Sequence, residues 1–358
     1  MTAPRAYHGT SGAPAVAKRR VALVDLRRGC ASLARGAGLV DPDAETLADV
    51  YMRATLRGVG HHDIGDLPSR IGALREGRIN PRPTIVCVAG QGGAAEAYDG
   101  DNGLGELCAS FITSRAESLA DTFGIGFCTI AGSNHFLAAA PYVERAAERG
   151  YLALIFSRTR LVMGVPGHDA RLIGNQPVGF ATLAGDHSPL LFDAALAYAS
   201  YGRMDAMARA GQSVPSHWGS ASGGETTTDP RAIMDGGVSH AIGGHKGFGL
   251  AILVELLTGV LSGGPVIDEM HPQFDDCGVH AHAAIVLQPA ALMAREHYHR
   301  RVSTMLNRIA GRAPGVVFPG QRSYARRAEA DRQGAIEVDV PLLDELNRWA
   351  SMLGVAQL

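Results

Sequence analysis

Three short β-branched runs, separated by two amphipathic segments that each end in glycine, constrain this chain most. The runs "PTIVCVAG" (83–90), "GFCTIAG" (126–132) and "YLALIFS" (151–157) are rich in the residues that fit a pleated surface. Between them lie "ASFITSRAESLADTFG" (109–124), which reads as an amphipathic helix, and "AGSNHFLAAAPYVERAAERG" (131–150), which follows a strand end and enters a helix near Pro141. Pro141 suits a first helical turn, and Gly150 a helix stop. Strands alternating with helices at this spacing predict an α/β domain.

Helical periodicity dominates ahead of this region. Val21, Leu23, Leu26, Leu33, Leu47, Val50, Tyr51 and Ala54 recur at helical spacing from Arg19 to about Glu76, and "EGRINPRP" closes the segment at about residue 83. Residues 1–18, rich in Ala, Gly and Pro, read as a disordered tail. Beyond the α/β core, "AALAYASYGRMDAMARAG" (194–211) reads as a helix and "QSVPSHWGSASGGETTTDP" (212–230) as a long polar loop. Gly247–Val260 reads as an apolar helix and "HAHAAIVLQP" (280–289) as a strand, followed by a helix over Pro289–Ile309. "GVVFPGQRSYARRAEADRQG" (315–334) reads as an irregular basic segment, and Pro341–Gly354 as the last helix.

Composition excludes several classes. Hydrophobic residues make up 46% and charged residues 19%, with a formal net charge of −2, so no basic field exists for nucleic acid or an anionic membrane. No apolar run reaches 18 residues. The five cysteines lack paired spacing and mostly sit in apolar runs, which reads as buried thiols in a cytoplasmic protein. The Ala, Gly and Arg bias fits a GC-rich bacterial genome.

There is no GxGxxG after a first strand and no P-loop, so an ordinary Rossmann site is not supported. Other clusters carry chemistry. Lys246, one of only two lysines against 31 arginines, sits in "GGHKGFG" at the mouth of an apolar helix. Glycine amides and a helix N-terminus there suit an anion, although a solvated lysine on a helix-entry turn is the plainer reading. "GSNHF" puts His135 between a strand end and a helix start, where α/β folds bind ligands; Ser133 or Asn134 as a simple helix cap is the competing reading. "RGVGHHDIGDLPSR" (57–70) is the densest polar cluster, and His61 and His62 suit general acid–base work. His61, His62 and Asp63 also raise metal binding, but no set has ligand spacing, and no metal is expected.

Together these pieces resemble the malate/L-lactate dehydrogenase family that lacks a Rossmann fold. The resemblance runs from about Val21 to Gly354. It rests on "LRG" with "INP" downstream (56–81), "DGDNGLG" (99–105), "SNHF" (133–136), "TTTDP" (226–230), "GGHKGFGLAILVELLTGVLSGG" (243–264) and "FPGQR" (318–322), in order and without large gaps. It implies a mixed-sheet, non-Rossmann NAD(P)-binding α/β domain with a helical lobe from both chain ends, as in sulfolactate dehydrogenase. On this reading residues 19–83 are the N-terminal helical segment, 84–265 the cofactor domain, and 266–358 complete the sheet and lobe. It also implies a homodimer, NADH or NADPH as cofactor, and hydride transfer to or from a small molecule. His62 takes the place of the family's proton donor, and His135 lies in the nicotinamide pocket. Phe136, Asp193, Ala194, Ala195, Lys246, Gly247, Pro319, Gly320, Gln321 and Arg322 fall where the family lines its cofactor groove.

The departures bear on substrate. Family "SHGxxR" is "HHDIGD" here: His61 replaces the serine that orients the histidine, Asp63 the glycine, and Asp66 the arginine that grips the substrate carboxylate. "DAALA" (193–197) and "GNQP" (174–177) replace "DMATS" and "GTNP". Arg to Asp reverses the charge facing the substrate. Either another arginine, such as Arg57, Arg70 or Arg158, supplies the grip, or the substrate is a cyclic imine or amine-bearing molecule. A standard 2-oxo acid, or a protein that has lost hydride transfer and does non-redox acid–base chemistry, are the rival expectations.

Overall fold

A computed structural model describes residues 16–60, 62–269 and 277–358. Its frame is a seven-stranded sheet in the spatial order Val86–Ala89, Ala95–Gly103, Ile125–Ser133, His280–Leu287, Leu152–Arg158, Val178–Ala184 and His187–Ala194. Only the Ala95–Gly103 and Ile125–Ser133 pair is parallel; the other five pairings are antiparallel. The sheet is therefore mixed.

Both faces of its centre are buried, and the period of two shows which residue faces which way. Ala153 and Ile155, Ala284 and Val286, and Cys128 and Ile130 join one core with the helices Gly105–Phe123 and Ala140–Glu148. Leu154 and Phe156, Ala283 and Ile285, and Phe127 face a second cluster with Ala251 and Val254 of the helix His245–Glu255. That cluster includes Val162, Met163 and Ile173 of a four-stranded sheet ordered Gly219–Ser220, Val238–His240, Leu161–Gly164 and Ile173–Gly174.

The chain ends meet. Helices Leu23–Gly36, Asp41–Arg57 and Leu67–Arg75 share their core with Val340–Leu353. Lys18–Ala22, assigned above to the tail and the first helix, is instead a strand paired antiparallel with Ala335–Asp339. The rest of the expected tail, up to residue 15, lies outside the described residues. Among the described residues no helix is long and apolar enough to cross a membrane.

Two further expectations fail. The helix expected from residue 194 starts only at Tyr201, because backbone groups ahead of it bond elsewhere: Leu196 N–H to Asn175 O at 2.8 Å and Tyr198 N–H to His240 O at 3.2 Å. Alanine's helix propensity is a weak prior beside such tertiary bonds. Conversely, the segment expected to be irregular holds a helix, Gln321–Gln333, bounded by left-handed Gly320 and Gly334. Its apolar face is nearly absent. It is held by charge and stacking: Arg57 lies over the Tyr324 ring at 3.9 Å, and Arg327 pairs with buried Glu144.

Gly105 opens the Gly105–Phe123 helix directly against the loop that carries His135. A Cβ there would fall 2.0 Å from Asn134 O and 2.5 Å from His135 O, which are backbone atoms that cannot swing aside. Gly105→Ala is expected to lower unfolding free energy by about 1–3 kcal/mol in a urea titration. Unchanged stability would mean this contact is not as tight as described.

Candidate active site

A cleft of about 830 Å³ runs between the sheet's outer strands and the chain-end helices. A chamber of about 360 Å³ adjoins it, and His62, His135, Thr159, Asn175 and Ser200 line both. Both volumes fall within the usual range for ligand pockets, roughly 300–1,000 Å³.

His62 follows the helix Asp41–Arg57, which ends at left-handed Gly58. A 3-10 turn over Ile64–Asp66 then brings Asp66 back to it: Asp66 Oδ2 lies 3.1 Å from His62 Nδ1. The carboxylate only accepts, so Nδ1 carries the hydrogen and Nε2 is the remaining ring nitrogen. Asp63 is not part of this arrangement. Its Oδ1 accepts from Gly65 N–H at 3.0 Å and its Oδ2 from Gly60 N–H at 3.1 Å, so it caps the turn. His61 lies outside the described residues.

The two site imidazoles face each other, His62 and His135 having ring centroids 4.7 Å apart. His135 Nδ1 meets two donors: Leu137 N–H at 3.1 Å, from a left-handed leucine (φ 71°), and Arg70 Nη2 at 3.0 Å. Arg70 Nε in turn donates to buried Glu106 Oε1 at 3.0 Å, which also accepts from Tyr51 O–H at 3.2 Å. Burial, then the positive neighbours His62 and Arg70, push His135 well below the ordinary histidine range. Arg70 loses by burial but gains more from Glu106, Tyr51 and Asp66, and its pKa rises.

The floor is built from residues read above as candidates for other roles. Phe136 is fully buried and stacks on His282 at 5.0 Å and on Tyr142 at 5.5 Å, so it supports the loop and does not line the cleft. Asn134 caps no helix: its amide donates to Asn102 O, Asn102 Oδ1 and Gly103 O, and its Oδ1 accepts from Gly278 N–H. Ser133 bonds His282 instead. His282 Nε2 donates to Asn134 O at 3.0 Å, and Nδ1 sits 2.9 Å from the Ser157 hydroxyl; burial drives this histidine down to about 3.

Along the cleft, Asp193, Ala194 and Ala195 are in place, with Asp193 Oδ2 accepting from Ala140 N–H at 2.8 Å at the start of a helix. Gly320 and Arg322 line it with Arg203 and Arg326. Pro319 and Gln321 do not; Pro319 O accepts from Leu191 N–H, and Gln321 Oε1 from Phe318 N–H. Lys246 is exposed in the first turn of His245–Glu255 and is not among the residues lining the cleft. Gly247 is needed for packing, since a Cβ would meet Ile242 O at 1.9 Å. The turn before them still touches the cleft wall, Gly243 N–H donating to the hydroxyl of cleft-lining Tyr198 at 3.3 Å. Of the other arginines weighed above, Arg57 is committed to Glu144, and fully buried Arg158 lies 3.8 Å from Glu255, away from the chamber.

Sequence reasoning missed Thr159 and the Leu137–Ala140 stretch, and met Asn175 only as part of the departure "GNQP". Thr159 and Asn175 hold each other, hydroxyl to Oδ1 at 2.8 Å and Asn175 N–H to the hydroxyl at 3.0 Å. Their signal was position: Thr159 follows the carboxyl end of the Leu152–Arg158 strand.

Comparison with known proteins places this architecture. The malate/L-lactate dehydrogenase family model matches residues 21–347. A Δ1-pyrroline-2-carboxylate/Δ1-piperideine-2-carboxylate reductase from Pseudomonas putida is 30% identical over 346 residues, 94% of this chain and 97% of its own. A (2R)-3-sulfolactate dehydrogenase (NADP+) from Chromohalobacter salexigens is 31% identical, covering 86% and 91% of the two chains. The solved sulfolactate dehydrogenase from Methanocaldococcus jannaschii superimposes with a TM-score of 0.85 at 26% identity, over 94% of this chain and 98% of its own. The protein is thus an NAD(P)-dependent oxidoreductase of small molecules, built outside the Rossmann class. It belongs to the malate/L-lactate dehydrogenase family.

The buried histidines make stability pH-dependent. A histidine held below its unfolded pKa of about 6.5 takes up its proton only on unfolding, so it costs stability as pH falls from about 6.5 toward the folded value. Between about pH 6.5 and 5, above most carboxylate titrations, unfolding free energy is expected to decline with acidification. His282→Gln is expected to flatten that decline measurably in urea titrations at several pH values. An identical slope in the variant would contradict the assignment.

Proposed function

We propose that the protein transfers a hydride between a nicotinamide dinucleotide in the cleft and a C=O or C=N carbon of a small molecule in the chamber. The observation that carries this is the placement of His62 and His135 where the two spaces join. The cleft suits a dinucleotide in size, and arginines 203, 322 and 326 line it for phosphate groups. When bound, the nicotinamide supplies or accepts the hydride. Asp193 to Ala195 wall the cleft; where the family has its threonine and serine this chain has Leu196 and Ala197, and Ala197 lines the cleft without a hydroxyl.

His62 is the proton donor in this reading. Asp66 holds its Nδ1, so the ring presents Nε2 for the heteroatom of the reduced bond. Asp66 replaces the orienting serine from four residues downstream, and it also lines the chamber. A carboxylate there favours a substrate with a positively charged nitrogen, such as a cyclic imine. Arg70 cannot serve as a free carboxylate grip because it is committed to Glu106 and His135. The pyrroline- and piperideine-carboxylate reductases among the relatives support the imine reading. A 2-oxo acid is the second reading: Arg160 and Arg78, the latter paired with Glu76 at 2.7 Å, add positive charge to the chamber wall.

The same reading takes the enzyme as a cytoplasmic homodimer. Leu250, Leu253, Leu256, Val260 and Leu261, each roughly half exposed, form an apolar stretch that suits a second copy.

Nicotinamide fluorescence should show saturable binding of NADPH or NADH. His62→Asn should leave that affinity within about threefold while kcat drops on the order of 10²–10⁴-fold. No binding of either nucleotide by folded protein would refute the reading. Asp66→Arg should shift kcat/KM from imines toward 2-oxo acids by at least about tenfold; no shift would refute the charge argument for substrate.

A further inference from the structure

We infer that Arg70 is a positioning residue that locks His135 as a neutral imidazole with its hydrogen on Nε2. The inference adds to the dehydrogenase reading and stands on geometry independent of it. A guanidinium and a backbone amide are donors only. Both aim at one nitrogen, Nδ1 of His135, from 3.0 and 3.1 Å. That nitrogen must therefore be bare, and the ring's single hydrogen resides on Nε2. A proton on Nδ1 would face two N–H groups and displace both.

The lock is anchored on two sides. Leu137 holds a left-handed backbone that a leucine side chain disfavours, so its place is imposed by the surroundings. Arg70 is largely buried, with 14% of its side chain exposed, and its charge is balanced by Glu106, which is itself buried and bonded to Tyr51. The groups facing His135 are His62 and Arg70 from the N-terminal segment and His280 and His282 from the central strand, while Asp66 and Glu106 bear on Arg70. The nearest of these, Arg70, is cationic and bonded to the ring, and burial acts in the same direction, so the ring resists protonation.

The consequence is a division of labour between two histidines 4.7 Å apart. His62, backed by a carboxylate, is built to give and take a proton. His135, backed by a cation, is built to donate a hydrogen bond without giving the proton up. Two interchangeable imidazoles would let the proton sit on either ring. Opposite backing charges remove that ambiguity.

The test is long-range ¹H–¹⁵N correlation NMR of ¹⁵N-histidine-labelled protein, with His135 assigned by His135→Gln. The wild type should show His135 with bare Nδ1 and protonated Nε2 throughout about pH 5.5–8. In Arg70→Met the Leu137 amide still holds the tautomer, but the cation is gone, so His135 should begin to titrate within that range. Because Arg70→Met strands Glu106, the double variant Arg70→Met/Glu106→Gln removes both charges and is expected to fold and show the same titration. A hydrogen on Nδ1 in the wild type, protonation of wild-type His135 near pH 6.5, or titration unmoved in the double variant would overturn the inference. In steady-state kinetics the double variant should lower kcat on the order of 10²-fold with KM changed little, and acquire a new acid limb in its pH profile. Failure of nucleotide binding would end the dehydrogenase reading and leave the NMR result standing.

Discussion

One largely buried guanidinium ties together three parts of the chain that are far apart in sequence. Arg70, on the helix Leu67–Arg75, reaches Glu106 at the start of the helix Gly105–Phe123 and His135 in the loop leaving the strand Ile125–Ser133. The cost of burying its charge is offset by Glu106, whose Oε1 accepts from both Arg70 Nε and Tyr51 O–H, although its buried Oε2 has no hydrogen-bond partner. Gly105 permits this convergence, since its missing side chain lets the helix start rest on the His135 backbone. The geometry of the site thus follows from a close approach that only glycine allows and a charge that must find its partner.

A second buried network seats the cleft's other wall. Arg57 and Arg327 both bind Glu144, which is fully enclosed, while Arg53 and Arg327 share Glu148. Burial lowers Arg57 to about 10. The helix Gln321–Gln333 has little apolar surface of its own, so this network, with Tyr324 stacked on Arg57, is what places Gly320, Arg322 and Arg326 at the cleft. Losing one partner would leave an uncompensated buried charge, at a typical cost of about 3–5 kcal/mol.

How far the sequence could be read follows from where the determining forces act. The strands Ile125–Ser133, Leu152–Arg158 and His280–Leu287 were legible because burial on both faces makes near-continuous apolar runs. Residues 194–200 were not: alanines suit a helix, and only bonds to Asn175 and His240 make them cleft wall. The helix at 321–333 was missed for the converse reason, since its partners are charges on distant helices. Within the site, His62 and His135 were found as types in context, but roles depended on geometry. Asp63 caps a turn, Asn134 ties down a loop, and Asp66 turns to a histidine. Lys246 stands exposed at the mouth of its helix, outside the lining of the cleft in the single chain.

On the proposed reading, what unifies these features is a nicotinamide at the junction of cleft and chamber, beside two histidines of opposite electrostatic backing. The measurement that bears on this most directly is a crystal structure of the protein soaked with NADPH or NADH. The account predicts the nicotinamide ring at the junction of cleft and chamber, its C4 facing the chamber and within about 4 Å of the space bounded by His62 and His135. A nicotinamide seated anywhere else, with those two rings facing only solvent, would contradict it.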